Sequence, residues 1–151
     1  MRTFLATVAL AALVLTACGS SSGGSDGSGA TTTAASGSDA LAAKAGLSGK
    51  VNTEGSGVAT AKAGKIEVEL DDFYFGPAFV NATLGTSLKV EVKNEGKATH
   101  TFTIDALKID QTIAPGKTVD VTVAVPKAGA LAMYCRFHKG SGMQGAIFAT
   151  S

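Results

Sequence analysis

The chain has 151 residues, with 13 Lys+Arg against 12 Asp+Glu for a formal net charge of +1, and no tryptophan. That length holds one ordinary domain with extensions and excludes two full-sized ones. A near-balanced charge supplies no basic stripe interleaved with stacking aromatics, so nucleic acid is excluded as a partner.

At the N-terminus, Met1-Arg2 starts a positively charged region, and Leu5 to Thr16 is an apolar run of signal-peptide length, too short to span a bilayer. It ends in Leu15-Thr16-Ala17-Cys18 followed by Gly19-Ser20. This box resembles a bacterial lipoprotein signal, in which a small residue precedes a cysteine that is diacylated and becomes the mature N-terminus. The resemblance implies a signal over residues 1–17 and lipidation at Cys18. It also implies a place in the bacterial cell envelope, at the outer face of the cytoplasmic membrane or in the periplasm. An ordinary cleaved export signal is the alternative.

From Gly19 to about Ala40 the chain is Ser, Gly, Thr and Ala with two aspartates, a composition that buries too little apolar surface to offset the entropy of ordering. Leu41 to Ala63 holds one helix-forming run, Leu41 to Ala45, and one strand-like run, Val51 to Thr53, but glycines interrupt both. The expectation is therefore a flexible, lipid-anchored linker over residues 18–63 and a folded domain over 64–151. A coil of about 45 residues would hold that domain roughly 35–40 Å from the lipid.

Past Gly64 the pattern turns to period two. Ile66, Val68 and Leu70 alternate with Lys65, Glu67 and Glu69, and Leu88, Val90 and Val92 alternate with Lys89, Glu91 and Lys93. His100 to Ile104 and Lys117 to Val125 follow the same rule, the signature of strands with one wet and one buried face, as in antiparallel sheets. Turn signals at Gly76-Pro77, Leu84-Gly85-Thr86, Asn94-Glu95-Gly96, Pro115-Gly116 and Pro126 to Gly129 separate the runs. The sum is an all-β sandwich of seven to eight strands, with no βαβ alternation. On these strands His100 shares a face with Phe102 and Ile104, and Cys135 shares one with Leu131 and Met133. Both are expected to point inward.

The densest chemistry lies in Tyr134 to Gly145, where Cys135, His138 and Met143 follow one another as Cys-x2-His-x4-Met. The other histidine of the chain, His100, stands upstream. Two imidazoles and one thiolate with a weak axial thioether form the ligand list of a blue-copper centre, because soft sulfur favours Cu(I) while imidazole also accommodates Cu(II). Taken singly, each residue has a plainer role: His100 as a satisfied core histidine, Cys135 as a small buried hydrophobe, Met143 as a gap-filler, His138 as a surface residue. Chance rarely places the only two histidines, the only cysteine beyond the leader and a loop methionine at these spacings, so one copper ion held by His100, Cys135, His138 and Met143 is expected. Gly140 and Gly142 are expected to let the loop turn tightly. Zinc competes for the cysteine and histidines, but thioether is a poor zinc ligand. With Cys18 in the leader box and Cys135 in the motif, no disulfide is expected.

The segment from about Lys65 to Ser151 resembles the plastocyanin-like branch of the cupredoxins, including pseudoazurins. The residues that carry the resemblance are Asn94-x5-His100, the Pro115-Gly116 turn and the Tyr-Cys-x2-His-x4-Met-x-Gly loop. It implies a Greek-key sandwich, a single type-1 copper with those four ligands, and electron passage through the ring edge of His138. Two positions depart from the family pattern. Thr101 follows the first histidine where many members have an Asn that ties the ligand loops, a link of which a threonine hydroxyl can make part, and Phe137 precedes the loop histidine where plastocyanins often have proline. The acidic patches of plant plastocyanins are not evident, and Lys97, Arg136 and Lys139 make the site end basic.

The leading functional expectation is a monomeric, membrane-tethered one-electron carrier outside the cytoplasm, serving redox partner proteins and not itself an enzyme. Storage or delivery of copper with the same ligands is the second, and a metal-free sandwich for adhesion or display the third. A nucleophilic triad is excluded, because both histidines are committed and no carboxylate is evidently placed to orient either one.

Overall fold

Alternating burial is the organising fact of the structure, a computed structural model that describes residues 37–151. The expected signal over residues 1–17, Cys18 and the expected linker up to residue 36 lie outside the described residues. The elements in chain order are α1 (Gly37–Lys44), β1 (Val58–Thr60), β2 (Lys65–Asp71), β3 (Tyr74–Gly76), β4 (Phe79–Thr83), β5 (Ser87–Asn94), β6 (His100–Ile104), β7 (Ile109–Ile113), β8 (Thr118–Ala124), β9 (Ala130–Tyr134) and β10 (Gln144–Thr150). Short 3-10 turns fall at Asp105–Leu107 and Lys139–Ser141. No described helix is long and apolar enough to cross a membrane.

Among the described residues, ten strands form two sheets, one of order β3-β2-β5-β8 and the other of order β1-β4-β10-β9-β6-β7. The expected count of seven to eight was low because β1 arises from the supposed linker and β3 has only three residues. The sandwich is mixed in direction: β2 runs parallel to β5, and β4 runs parallel to both β1 and β10. Parallel neighbours arise because the chain crosses repeatedly from one sheet to the other, as Greek-key connections require.

In the four-stranded sheet, Val68 and Leu70 of β2, Val90 and Val92 of β5, and Val121 and Val123 of β8 face inward. They meet Phe102, Ile104, Leu131, Met133 and Ile147 in one core. A fully buried side chain of this size contributes about 1.5–3 kcal/mol, against about 0–1 kcal/mol for an exposed ion pair such as Arg136–Asp110, so the inward rows hold the fold.

The expected linker needs correcting over residues 37–63, which pack on the domain. Ala42 is buried in the core cluster, with Leu41, Ala45, Leu47 and Val51 against it. Gln144, Ala146 and Phe148 share the outward face of β10 by the strand period. Gln144 Nε2 donates to Ser48 O at 2.8 Å and Lys50 O at 2.9 Å, and Lys44 Nζ lies 5.1 Å above the Phe148 ring. Residues 37–57 therefore form a strap that crosses the outer face of the six-stranded sheet at β10, and Val58–Thr60 join that sheet as its edge strand β1. The ordered domain starts well before residue 64.

Candidate metal centre

All the expected ligands come from one end of the six-stranded sheet. His100 opens β6, Cys135 follows the last residue of β9, and Met143 precedes the first of β10. Because β9 and β10 pair antiparallel, Tyr134 lies opposite Gln144, and the intervening loop must return to its starting point. Three backbone hydrogen bonds close it. His138 N–H donates to Cys135 O at 3.1 Å, Met143 N–H to His138 O at 3.2 Å, and Cys135 N–H to Met143 O at 3.0 Å. Gly142 takes φ +96°, a conformation that L side chains rarely adopt, whereas Gly140 needs no positive φ.

The result is a triangle of donor atoms. His100 Nδ1 and His138 Nδ1 are 3.1 Å apart, and Cys135 Sγ is 3.5 Å from His138 Nδ1 and 3.8 Å from His100 Nδ1. Lone pairs this close repel unless a cation or a proton lies between them. Nitrogen and sulfur donors sharing one ion at about 2.0 and about 2.3 Å would stand about 3.5 Å (N to N) and about 3.7 Å (N to S) apart, close to the edges found. The residues fit one metal ion. His100 and Cys135 are buried and His138 half-buried. Desolvation, and then His100, hold the His138 imidazole below its ordinary pKa of 6.5, so it stands neutral and ready to ligate at neutral pH. Met143 is fully buried at the same end, tied through its backbone to both Cys135 and His138. With thioether present, the donor set is positioned for one copper ion as in type-1 sites. Met133 is core, and Cys135 is a free thiol.

Thr101 provides the link between ligand segments that its hydroxyl made conceivable. Its N–H donates to Cys135 Sγ at 3.3 Å, and its Oγ1 accepts Arg136 N–H at 2.8 Å. The chain of bonds continues from Thr101 Oγ1 to Thr103 Oγ1 at 3.0 Å and from there to Asp110 Oδ1 at 2.9 Å, which also accepts Arg136 Nε–H at 3.2 Å. A threonine pair and a carboxylate thus join the His100 strand to the Cys135 loop. Buried Asn94 shapes the approach to His100, donating to Ala98 O at 2.9 Å and Ile113 O at 2.8 Å and accepting Gly96 N–H at 3.0 Å.

Sequence reasoning missed four residues here. Asp72 Oδ1 lies 2.9 Å from His100 Nε2, and its carboxylate also accepts Lys97 N–H at 3.1 Å and Ala98 N–H at 3.3 Å. The Lys97 amide first, and then His100, hold its carboxyl below the usual carboxylate range. The next residue, Phe73, places its ring 4.4 Å from the His138 ring and 6.2 Å from that of His100. From the strap, Asn52 Nδ2 donates to Phe73 O at 2.9 Å and Ser141 O at 2.8 Å, while its N–H donates to Gly142 O at 2.9 Å. Asn52 therefore pins the β2–β3 turn to the ligand loop. Tyr74 strengthens the same junction by bridging Glu54 and Asp71 at 3.1 Å each; burial first, and then those two carboxylates, push its pKa to about 12. Period-two patterns say nothing about such turn-tip residues; the only signal was an Asp-Asp-Phe sequence between two strand runs.

No curated protein sequence matches this chain. Among solved structures it is similar in fold to dithionite-reduced auracyanin from the photosynthetic bacterium Roseiflexus castenholzii, at 18% identity and TM-score 0.51 over 59% of this chain and 98% of that one. Auracyanin B is similar at 17% identity and TM-score 0.50, over 68% of this chain and 95% of that one. The metal-binding domain of the Cu(I)-exporting P-type ATPase CopA of Streptococcus pneumoniae, with Cu(I), is similar at 12% identity and TM-score 0.53, over 62% and 96%. At such identities the likeness concerns the fold. A family profile described as a Cupredoxin-like domain matches residues 30–149, most of the chain and both sheets, and the chain belongs to that family.

Proposed function

We propose that the chain is a membrane-tethered one-electron carrier working outside the cytoplasm, whose one copper ion would be held by His100, Cys135, His138 and Met143. The observation that carries this reading is the triangle of Nδ1, Nδ1 and Sγ, with edges of 3.1 to 3.8 Å, two of its corners in a loop closed by its own backbone and the third at the start of β6. Bound copper supplies one-electron chemistry between Cu(I) and Cu(II). The protein supplies stiffness: the loop bonds, the Thr101 link and the Asn52 pin keep the donors from rearranging between the two oxidation states. Four ligands leave no open position, and His100 and His138 are the only histidines, so no imidazoles remain for a second, substrate-activating copper. This supports a redox module over an enzyme.

His138 is the ligand nearest the surface, with exposed Phe73 and Phe137 beside it. A redox partner that docks there meets an apolar rim with Lys97, Arg136 and Lys139 around it. Arg136 is paired with Asp110, so steering is weaker than three cations imply, while Lys139, 4.4 Å above the neutral Tyr134 ring, keeps its full charge. The carrier works as a monomer held to the envelope by lipid on Cys18, and Cys18→Ala is expected to release it from the membrane fraction.

Loading with Cu(II) tests the centre: an intense blue thiolate-to-copper band is expected, lost in Cys135→Ser. Storage or delivery is the second reading, favoured by the fold likeness to a Cu(I)-bound ATPase domain. Reduction by a donor protein with fast self-exchange supports the carrier, whereas copper passing to an acceptor without redox cycling supports delivery.

A further inference from the structure

Of the two histidines, His100 is the one whose second nitrogen is accounted for. Its ring is fully buried, and Nε2 meets Asp72 Oδ1 at 2.9 Å. A carboxylate accepts only, so the hydrogen in that bond sits on Nε2, and the Nδ1 lone pair is left facing Cys135 and His138. The contact is built rather than incidental. Asp72 is held in place by the amides of Lys97 and Ala98, and the chain passes beside the pair at Gly96. A Cβ at Gly96 would stand 2.6 Å from Asp72 Oδ1 and 3.0 Å from His100 Nε2, so a side chain there must push the two apart.

We propose that Asp72 is a positioning residue of the copper site, fixing the Nε2–H form of His100, aiming Nδ1 at the metal and, as an anion one imidazole away, favouring Cu(II) over Cu(I). The inference rests on the copper reading above. Its physical basis is that a carboxylate on the far nitrogen raises the basicity of a ligating imidazole, and such outer partners change metal affinity by about 10–100-fold. A more basic imidazole and a nearby negative charge both stabilise the more highly charged ion, so Asp72 lowers the reduction potential. Asp72 also caps the turn leading to His100, a structural role in which an amide oxygen can replace Oδ1 toward His100 and Ala98, while the bond from Lys97 N–H to Oδ2 is lost.

Asp72→Asn separates these roles, since its carbonyl still accepts hydrogen bonds while the charge is gone. In the copper-loaded protein, Asp72→Asn is expected to shift the Cu(II)/Cu(I) affinity ratio about tenfold toward Cu(I), which is 59 mV upward for a one-electron couple. Gly96→Ala keeps the charge but displaces the carboxylate, and is expected to shift the potential in the same direction. An Asp72→Asn protein that shows the blue band at the wild-type potential overturns the proposal. A second arm needs no copper: nitrogen-15 NMR of the metal-free protein is expected to find the His100 proton on Nε2 in wild type and Asp72→Asn, and a mixture of tautomers in Asp72→Ala. A proton on Nδ1 in wild type overturns the positioning role. Should wild type take up no copper, the copper reading fails by itself, and the NMR arm still decides whether Asp72 positions His100.

Discussion

The two sheets are built from similar strands and treated differently by the rest of the chain. In the four-stranded sheet, β5 buries Leu88, Val90, Val92 and Asn94 and leaves Ser87, Lys89 and Glu91 in water. In the six-stranded sheet, all five residues of β6 and the first five of β10 are buried. The second sheet has its outer face covered in part, by the strap at β10 and by the Thr101–Thr103–Asp110 network at β6, while Ala132 of β9 and the middle of β7 stay in water. It is also the sheet that carries every metal donor. A site that must not rearrange is placed where packing acts from both sides, while a framework sheet tolerates solvent on one.

Removing the cover tests that contrast most severely. A chain that starts at residue 64 uncovers Phe79 and Phe148 and leaves the Gln144 amide without its two carbonyl partners. It is expected to lose about 5 kcal/mol in urea unfolding. An unchanged midpoint would reduce the strap to decoration. Phe148→Ala within the full chain is expected to cost about 3 kcal/mol, whereas Glu91→Ala, on the wet face of β5, should stay within about 0.5 kcal/mol. Equal effects at the two positions would erase the distinction between the sheets.

Asn52→Ala removes one pin between the strap and the ligand loop and is expected to cost about 1–2 kcal/mol. In the copper-loaded protein it should also broaden the blue band, because the Phe73 turn and the loop at Ser141 lose their shared donor. The smallest effect concerns pH. The folded pKa of His138 lies below its free value of 6.5, so as pH falls the unfolded chain takes the proton first. Stability of the metal-free domain is therefore full above about pH 6.5, declines below it, and levels once pH passes the lowered folded value. Asp72, held below the carboxylate range, adds its own loss only at more acidic pH. Urea midpoints between pH 7.5 and 5 should show the first decline, and His138→Gln should flatten it.

Local order in the chain was sufficient to read the strands and the ligands, because both are short-range facts. Period-two alternation is a property of consecutive residues, and Cys135, His138 and Met143 fall within one loop, so their spacing survives in one dimension. The inward aim of His100 followed from its strand face, and the role of Thr101 as a partial tie followed from its hydroxyl. The strap and the outer partners were decided in three dimensions. Residues 37–63 carry few apolar side chains, and their glycines resemble coil until Gly46 and Gly57 prove to hold positive-φ turns. Asp72 meets His100 across 28 positions, Asn52 meets Ser141 across 89, and Gln144 meets Ser48 across 96. A hydrogen bond between residues so distant leaves no periodic trace, since its partners are set by where turns and loops come to rest once the apolar rows have closed the core.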